Sequence, residues 1–190
     1  MKTSAPAIPD DWSQDGRFLI YMTTEKGGRD VSVLPLSGER KPFPFLQSQF
    51  GELHAQLSPD GRWMAYTSDE SGQFQIYVQS FPAGQGKWQV STQGGVQPRW
   101  RRDGKELFYL APDGKLMAVL VRAGATFEAG TPAPLFQAQT FSLAISTLYS
   151  HQYDITADGQ RFLLNVDLSE VTAAPITVVL NWQKAVTSGK

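Results

Sequence analysis

The sequence contains no cysteine, which excludes structural disulfides, thiolate zinc sites and cysteine nucleophiles together. No apolar stretch approaches the ~20 residues that a membrane-spanning helix needs, and the first residues lack the apolar core of a signal peptide. The charges nearly cancel, with 17 Lys and Arg residues against 18 Asp and Glu residues. Because no basic face attracts phosphates, we expect no nucleic-acid partner, and the sequence indicates no cellular compartment.

Motifs of several enzyme and metal-binding classes are also missing. The chain has no G-x-G-x-x-G loop, no H-R-D sequence and no D-F-G sequence, so it carries no protein-kinase machinery. It has neither the G-x-S-x-G turn of serine hydrolases nor the D-x-D-x-D-G loop of calcium sites. We therefore expect no catalytic residue, no metal and no cofactor in this chain, and acidic pairs such as Asp10-Asp11 are expected to lie in surface loops.

The sequence is rich in the residues that short strands and tight turns use. Aromatic residues make up 12% of it, Gly and Pro number 17 and 12, and Val, Thr, Tyr and Phe recur in short runs. This composition predicts an all-β protein.

One unit repeats along the chain and is marked by Asp-Gly pairs in matching contexts. The pairs are Asp15-Gly16, Asp60-Gly61, Asp103-Gly104 and Asp158-Gly159. They are separated by 45, 43 and 55 residues, and the first two steps match the ~40–45 residue period of four-stranded propeller blades. The third step is the same unit with an insertion of about ten residues.

The residues flanking each pair predict a strand on either side of a turn. The third residue before each Asp is large and apolar, and the residue before that one is polar, as expected for a strand with one buried face. The apolar set is Trp12, Leu57, Trp100 and Ile155, and the polar set is Asp11, Gln56, Arg99 and Asp154. An apolar run follows each Gly, and a type I turn with a bulge requires that Gly to adopt a positive φ.

We therefore predict about four antiparallel four-stranded blades, forming a partial propeller or a small ring. The blades are expected at residues 9–46, 53–92, 96–137 and 150–182, followed by a polar tail at 183–190. The insertion, residues 137–150, fits either a short hairpin or a covering loop. The apolar run Ile176–Trp182 is expected to close the last blade, and an N-terminal strand docking beside it would close a ring.

Polar residues at the start of the first strands form the candidate ligand site. His54 and His151 precede their turn aspartates by six and seven residues, so both could face one end of the central channel. Asp10 lies near them in the same repeat frame and is a further candidate for a polar ligand funnel. The predicted channel-mouth residues are His54, Gln56, Gln97, Arg99, His151, Gln152, Tyr153 and Asp154. Two histidines without a ligand spacing are more often solvated loop residues, so we predict no metal there.

The tryptophans are expected to be mostly structural. Trp12 and Trp100 share a core register, and Trp182 ends an apolar strand. Trp63 and Trp88 are candidates for ligand contact, although packing between blades is the more ordinary role for them.

Three segments carry a resemblance to known proteins. Residues 57–72, including Leu-Ser-Pro-Asp-Gly-Arg-Trp, resemble the TolB-type repeat, which is similar to WD repeats. Residues 97–109 and 176–182 are similar to the C-terminal propeller of bacterial serine/threonine protein kinases. The resemblance implies a kinase domain upstream, with a periplasmic location if that kinase spans a membrane. Because TolB-type propellers usually have six or more blades, it also implies that this chain is the C-terminal portion of one.

The expected function is that of a non-enzymatic propeller, a sensor or scaffold that binds a protein, peptide or small ligand through loops on rigid blades. Self-association through open blade edges is a further expectation. The alternative is a metal-assisted hydrolase or lyase that uses the two channel histidines.

Overall fold

The computed structural model describes residues 6–24, 28–82, 86–138 and 150–166, which form antiparallel β-sheets in chain order. The first sheet has the order β1-β2-β3-β4 and the second the order β5-β6-β7-β8. Their strands are β1 Ala7–Trp12, β2 Phe18–Thr23, β3 Asp30–Pro35, β4 Phe43–Leu46, β5 Glu52–Leu57, β6 Trp63–Ser68, β7 Gln75–Ser80 and β8 Lys87–Gln89. Each strand pairs with the next one along the chain, as in a propeller blade.

The third sheet departs slightly from this plan, and the fourth is described only in part. In the third sheet the long strand β11 pairs with β10 on one edge and with both β12 and β13 on the other. The remaining strands are β9 Val96–Trp100, β10 Glu106–Leu110, β11 Lys115–Ala123, β12 Phe127–Ala129, β13 Ala133–Gln137, β14 Tyr153–Ile155 and β15 Phe162–Leu164. The fourth sheet consists of β14 and β15. These sheets confirm the all-β prediction and its four-stranded antiparallel units.

The core lies between consecutive sheets. Three apolar clusters are buried, and each is built from two neighbouring sheets: the first and second, the second and third, and the third and fourth. In the middle cluster Trp63 packs edge-on against Trp88 at 5.4 Å and lies 5.5 Å from Phe127, measured between ring centroids. Trp63 is buried and Trp88 partly buried there, so both of these tryptophans pack between blades.

The Asp-Gly turns have the predicted backbone. The four repeat glycines have φ values between 69° and 72°, and each donates its N–H to the carbonyl three residues earlier at 2.8–2.9 Å. In each turn the aspartate accepts a hydrogen bond from the backbone N–H two residues later, as in Arg62 to Asp60 at 3.1 Å. In three of the turns a hydroxyl group also donates a hydrogen bond to the aspartate carboxylate, as Ser58 does to Asp60 at 2.6 Å.

Two predictions about single residues need correction. Trp12 is 65% exposed and not part of a core, because no described sheet packs on the face of β1 that carries it. Asp10 and Asp11 lie within strand β1 and are partly buried, so they are not surface-loop residues.

Some expectations fall outside the described residues. They concern most of the insertion at 137–150, the apolar run Ile176–Trp182 and the tail 183–190. The predicted ring closure involves Ile176–Trp182 and so also lies outside the described residues. Within the described part of the chain, no helix has the length and apolar character needed to cross a bilayer.

Candidate functional site

The first strands of the sheets lie side by side and place their polar residues at one opening. Strand β5 contacts both β1 and β9. The polar residue four positions before each turn aspartate lines a cavity of about 610 Å³ at this opening, which we call the channel mouth; the four residues are Asp11, Gln56, Arg99 and Asp154. The repeat therefore brings one side chain from each sheet to a shared cavity.

Asp10 and Asp11 are held in place by the neighbouring strand. The side-chain amide of Gln56 donates to the Asp10 carbonyl oxygen at 3.0 Å, and the Leu57 N–H donates to Asp11 Oδ2 at 2.8 Å. Burial raises the pKa of Asp10 to about 7, against the opposing effects of a hydrogen bond from the Ala55 backbone and the charge of Arg99. Burial also raises the pKa of Asp11. Burial therefore moves the titration of Asp10 toward neutral pH.

Arg99 is the central cation of the channel mouth. Its side chain is 11% exposed, and its Nε atom lies 3.7 Å from Asp154 Oδ1, which is too long for a hydrogen bond. Within the described residues, Nε and Nη1 of Arg99 and Oδ2 of Asp10 are buried and accept or donate no hydrogen bond. Such orphaned charged groups are costly unless something else satisfies them.

A buried polar network lies below the channel mouth and joins the sheets. The Gln97 N–H donates to Thr67 Oγ1 at 3.2 Å, and its side-chain oxygen accepts from the Gln152 N–H at 2.7 Å. Tyr153 donates its hydroxyl to the Gln97 carbonyl at 2.8 Å. Gln97 and its partner Gln152 are fully or nearly fully buried. These residues therefore connect the second, third and fourth sheets as structural groups inside the molecule.

The two histidines meet in this interior. Their ring centroids are 5.6 Å apart, and His54 Nδ1 lies 3.4 Å from Thr67 Oγ1. Burial lowers the pKa of His151 to about 3, assisted by the nearby charges of Arg99 and His54. His151 is therefore neutral at physiological pH. No cluster of three or more acidic or histidine side chains within the described ranges could hold a metal ion.

Two residues of the network have an unusual backbone. His54 has a φ of 53° and Gln97 a φ of 58°, in the left-handed region that non-glycine residues seldom adopt. Both stand six residues before their turn aspartate, and in both strands the pairing register shifts at this point. Because the same conformation recurs at equivalent places in adjacent sheets, it is a property of the repeat that aims the following side chains at the channel.

The eight predicted channel-mouth residues thus separate into two groups. Gln56, Arg99 and Asp154 line the cavity. The others, His54, Gln97, His151, Gln152 and Tyr153, belong to the interior beneath it. The interpretation as a solvated loop residue was wrong for His54, which is buried within β5. His151 lies outside the strands, before β14, and is partly buried.

Asp11 is a residue of the channel mouth that was not predicted from the sequence. The signal for it was available, because it occupies the same repeat position as Gln56 and Arg99. Asp10, which the repeat places near the histidines, also lines the cavity, next to the bulge in β1 between Pro9 and Asp11.

Solved β-propellers share this architecture. TolB from Acinetobacter baumannii superposes with a TM-score of 0.68 at 18% identity, over 95% of this chain and 42% of that chain. The β-propeller domain of Cps50 (Swd1) from Myceliophteria thermophila gives 0.59 at 10% identity, over 95% and 58%. A puromycin-hydrolyzing peptidase from Mycobacterium tuberculosis gives 0.60 at 16% identity, over 84% and 28%.

This chain spans less than two thirds of the length of each of these proteins. No protein-family model and no curated protein matches the sequence. At such low identities the likeness concerns the fold alone, and together with the sheet order it shows that the described part of the chain has a β-propeller fold similar to that of TolB.

Proposed function

We propose that the chain is a non-enzymatic propeller module that binds a small polar ligand or the end of a peptide at the channel mouth. The observation that carries this proposal is a set of buried atoms that find no hydrogen-bond partner among the described residues, namely two guanidinium nitrogens of Arg99 and one carboxylate oxygen of Asp10, beside a cavity of about 610 Å³. A cavity of this size lies within the usual range for ligand pockets, about 300–1,000 Å³.

The arrangement favours a ligand with both an acceptor and a donor. A carboxylate or carbonyl oxygen would suit Arg99, and an ammonium or amide N–H would suit Asp10 and Asp11. Free amino acids and peptide ends carry both groups at short separation. A purely anionic ligand is disfavoured, because the carboxylates of Asp11 and Asp154 in the same cavity would repel it.

The non-enzymatic part of the proposal rests on how the polar groups are held. Asp11 is bonded to a backbone N–H of the neighbouring strand, and Asp10 interacts with the backbone of Ala55, so both are positioned as binding groups. Neither histidine is among the residues that line the cavity.

A metal-assisted hydrolase remains the competing hypothesis, because His54 and His151 approach each other closely. Calorimetric titration with Zn²⁺ separates the two hypotheses. We expect no stoichiometric binding, whereas tight binding abolished by both His54→Ala and His151→Ala would favour the enzyme.

We also propose that the module is the C-terminal sensor or interaction region of a serine/threonine protein kinase. This rests on the resemblance of residues 97–109 and 176–182 described above. The coding sequence upstream of this segment tests it. We expect a kinase domain in the same reading frame, and a different domain there would contradict the proposal.

Tryptophan fluorescence tests ligand binding, because Trp12 and Trp100 line the channel mouth. A panel of free amino acids, dipeptides and dicarboxylates would be titrated into the protein. We expect a saturable change for zwitterionic members of the panel, and we expect Arg99→Gln and Asp10→Asn to abolish it.

The matched control is Arg40→Gln, which removes an exposed guanidinium far along the chain from the cavity. It should leave the titration unchanged. The proposed site would be contradicted if Arg99→Gln gave the same fluorescence change as the unchanged protein. It would also be contradicted if no member of the panel gave a saturable change.

A further inference from the structure

A second cavity opens beside the channel mouth, on the face of the propeller that carries the Asp-Gly turns. It has a volume of about 770 Å³ and lies between the turns of the second and third sheets and the end of β11. We call it the turn-face groove. It shares Gln14 and Arg102 with the channel mouth, so the two cavities are adjacent.

The turn-face groove has an apolar centre. Leu120 lines it and is 68% exposed, which is unusual for a leucine in a strand. Pro59 and Ala123 also line the groove and extend its apolar surface. Because side chains alternate along a strand, Leu120 and Arg122 project from the same face of β11. An apolar partner group placed on Leu120 would therefore have a cation beside it.

The charge available to a partner in the groove is positive. Two acids line it, but both are neutralised: Asp60 by Arg62 at 2.7 Å and Asp103 by Arg101 at 2.7 Å. Three cations also line it: Arg102, Lys105 and Arg122. Among the described residues, none of these three takes part in an ion pair within 4 Å.

The walls of the groove are held rigidly. Arg62 bridges them, since it binds Asp60 on the second sheet and donates from Nη2 to the Ala123 carbonyl of the third sheet at 3.1 Å. The Val121 N–H donates to the Lys105 carbonyl at 2.9 Å, which anchors the end of β11 against the neighbouring turn. A partner would thus meet a preformed surface and would not have to order it.

We propose that the turn-face groove binds an acidic peptide segment that places an apolar side chain against Leu120 and carboxylates against Lys105, Arg102 and Arg122. Clusters of cationic side chains recur in proteins as binding sites for acidic peptide motifs. A nucleic acid fits less well, because three cations make a short track and an aliphatic leucine offers no stacking platform. This site does not depend on the ligand proposed for the channel mouth.

Fluorescence anisotropy tests the proposal with a fluorescein-labelled peptide of sequence GEELEEG. We expect saturable binding that weakens as salt is raised from about 50 to 500 mM, because exposed charges are screened. The peptides GKKLKKG and GEESEEG should bind at least about tenfold and fivefold more weakly, since they lose the charge match and the apolar contact respectively.

Variants of the protein locate the site. Leu120→Ser should weaken binding at least about fivefold, and the double substitution of Lys105 and Arg122 by Glu at least about tenfold. The matched controls are Leu163→Ser, which changes another exposed leucine (58%) on β15, and Lys41→Glu, which changes an exposed cation after β3. Both controls should bind GEELEEG as the unchanged protein does.

Three results would overturn the proposal. The first is no saturable binding of GEELEEG up to about 1 mM, a weak affinity even for a single contact site. The second is equal binding of GKKLKKG, or binding that survives the Leu120 and double-Glu substitutions. The third is concentration-dependent dimerisation in sedimentation that Leu120→Ser abolishes, because the groove would then receive a second copy of this chain.

Discussion

Asp10 has an ionisable side chain in a place that disfavours its charge. The carboxyl is buried in β1, and this burial raises its pKa to about 7 from 3.8. A raised pKa means that the folded protein keeps the proton while the unfolded chain releases it above about pH 4. The contribution of Asp10 to stability therefore falls as the pH rises from about 4 to 7, and it stays at its lowest above pH 7.

We expect Asp10→Asn to remove this penalty, because asparagine has the same shape and no charge. At pH 8 the variant should be more stable than the unchanged protein by on the order of 4 kcal/mol, and near pH 4 the difference should disappear. Urea unfolding at several pH values measures it. A difference between the two proteins that is constant from pH 4 to 8 would show that the carboxyl titrates normally in the folded state.

Gly61 illustrates a backbone requirement at the scale of one residue. Its φ is 69°, and a Cβ atom built there would find only Arg17 Nη2, at 4.0 Å. Space is therefore available, and any cost of a side chain must come from the left-handed conformation.

We predict that Gly61→Val lowers the free energy of unfolding by on the order of 1–3 kcal/mol. Gly124→Val is the matched control, since a Cβ atom there meets nothing within 4 Å and the residue has no positive φ. Thermal or urea unfolding compares the two. Equal effects of both substitutions would show that conformation at the turn is not the cause.

At the scale of strands and sheets, the contact between neighbouring first strands differs along the chain. Trp100 of β9 is 8% exposed and donates its indole N–H to the Gln56 carbonyl of β5 at 3.1 Å. Trp12 stands at the equivalent place in β1 and is 65% exposed. Tryptophan at this repeat position therefore bonds two sheets together in β9 but is a surface residue in β1.

We predict that Trp100→Phe costs about 1–3 kcal/mol, because it removes the hydrogen bond and opens a small space beside a buried ring. Trp12→Phe should change the stability by less than about 0.5 kcal/mol. Urea unfolding of both variants provides the comparison. A large effect of Trp12→Phe would mean that this face of β1 is covered in solution.

Strand positions could be predicted from the sequence because their signals are local. The apolar runs at Phe18–Thr23 and Trp63–Ser68 and the glycine turns between strands depend only on neighbouring residues. The small strand β12 gave no such signal, since its three residues, Phe127–Ala129, pair with the far end of the unusually long β11.

The candidate site was only partly predictable, for a reason that belongs to the packing of sheets. Aligning the repeats was enough to predict that His54 and His151 lie at the same end of the channel and that Gln56 and Arg99 lie at one opening. Burial of Gln97 and exposure of Trp12 depend on which sheet covers each face. That information is contained in no single repeat.

At the scale of the whole molecule, the first strand supports more than its own sheet. β1 pairs with β2 along most of its length, and it receives hydrogen bonds from Gln56 and Leu57 of the second sheet. It also supplies two of the carboxylates at the channel mouth, Asp10 and Asp11.

Deletion of residues 1–11 should therefore lower the melting temperature by about 10 °C or more, as expected for a loss of several kcal/mol in a chain of this size. Differential scanning calorimetry measures the change. An unchanged melting temperature would show that β1 adds nothing to stability, and it would also argue against a ring closed by the N-terminal residues.

The Asp-Gly turns have a chemical consequence as well as a structural one. Asp-Gly is the dipeptide in which the aspartate carboxyl can most easily close onto the next backbone nitrogen, because glycine presents no side chain to hinder the approach. At the turns of Asp15, Asp60, Asp103, Asp113 and Asp158 the glycine N–H is bonded to an earlier carbonyl, and the carboxylate is bonded to a later N–H. Folding thus keeps the two reacting groups apart. Isoaspartate should therefore form at these turns mainly while the chain is unfolded.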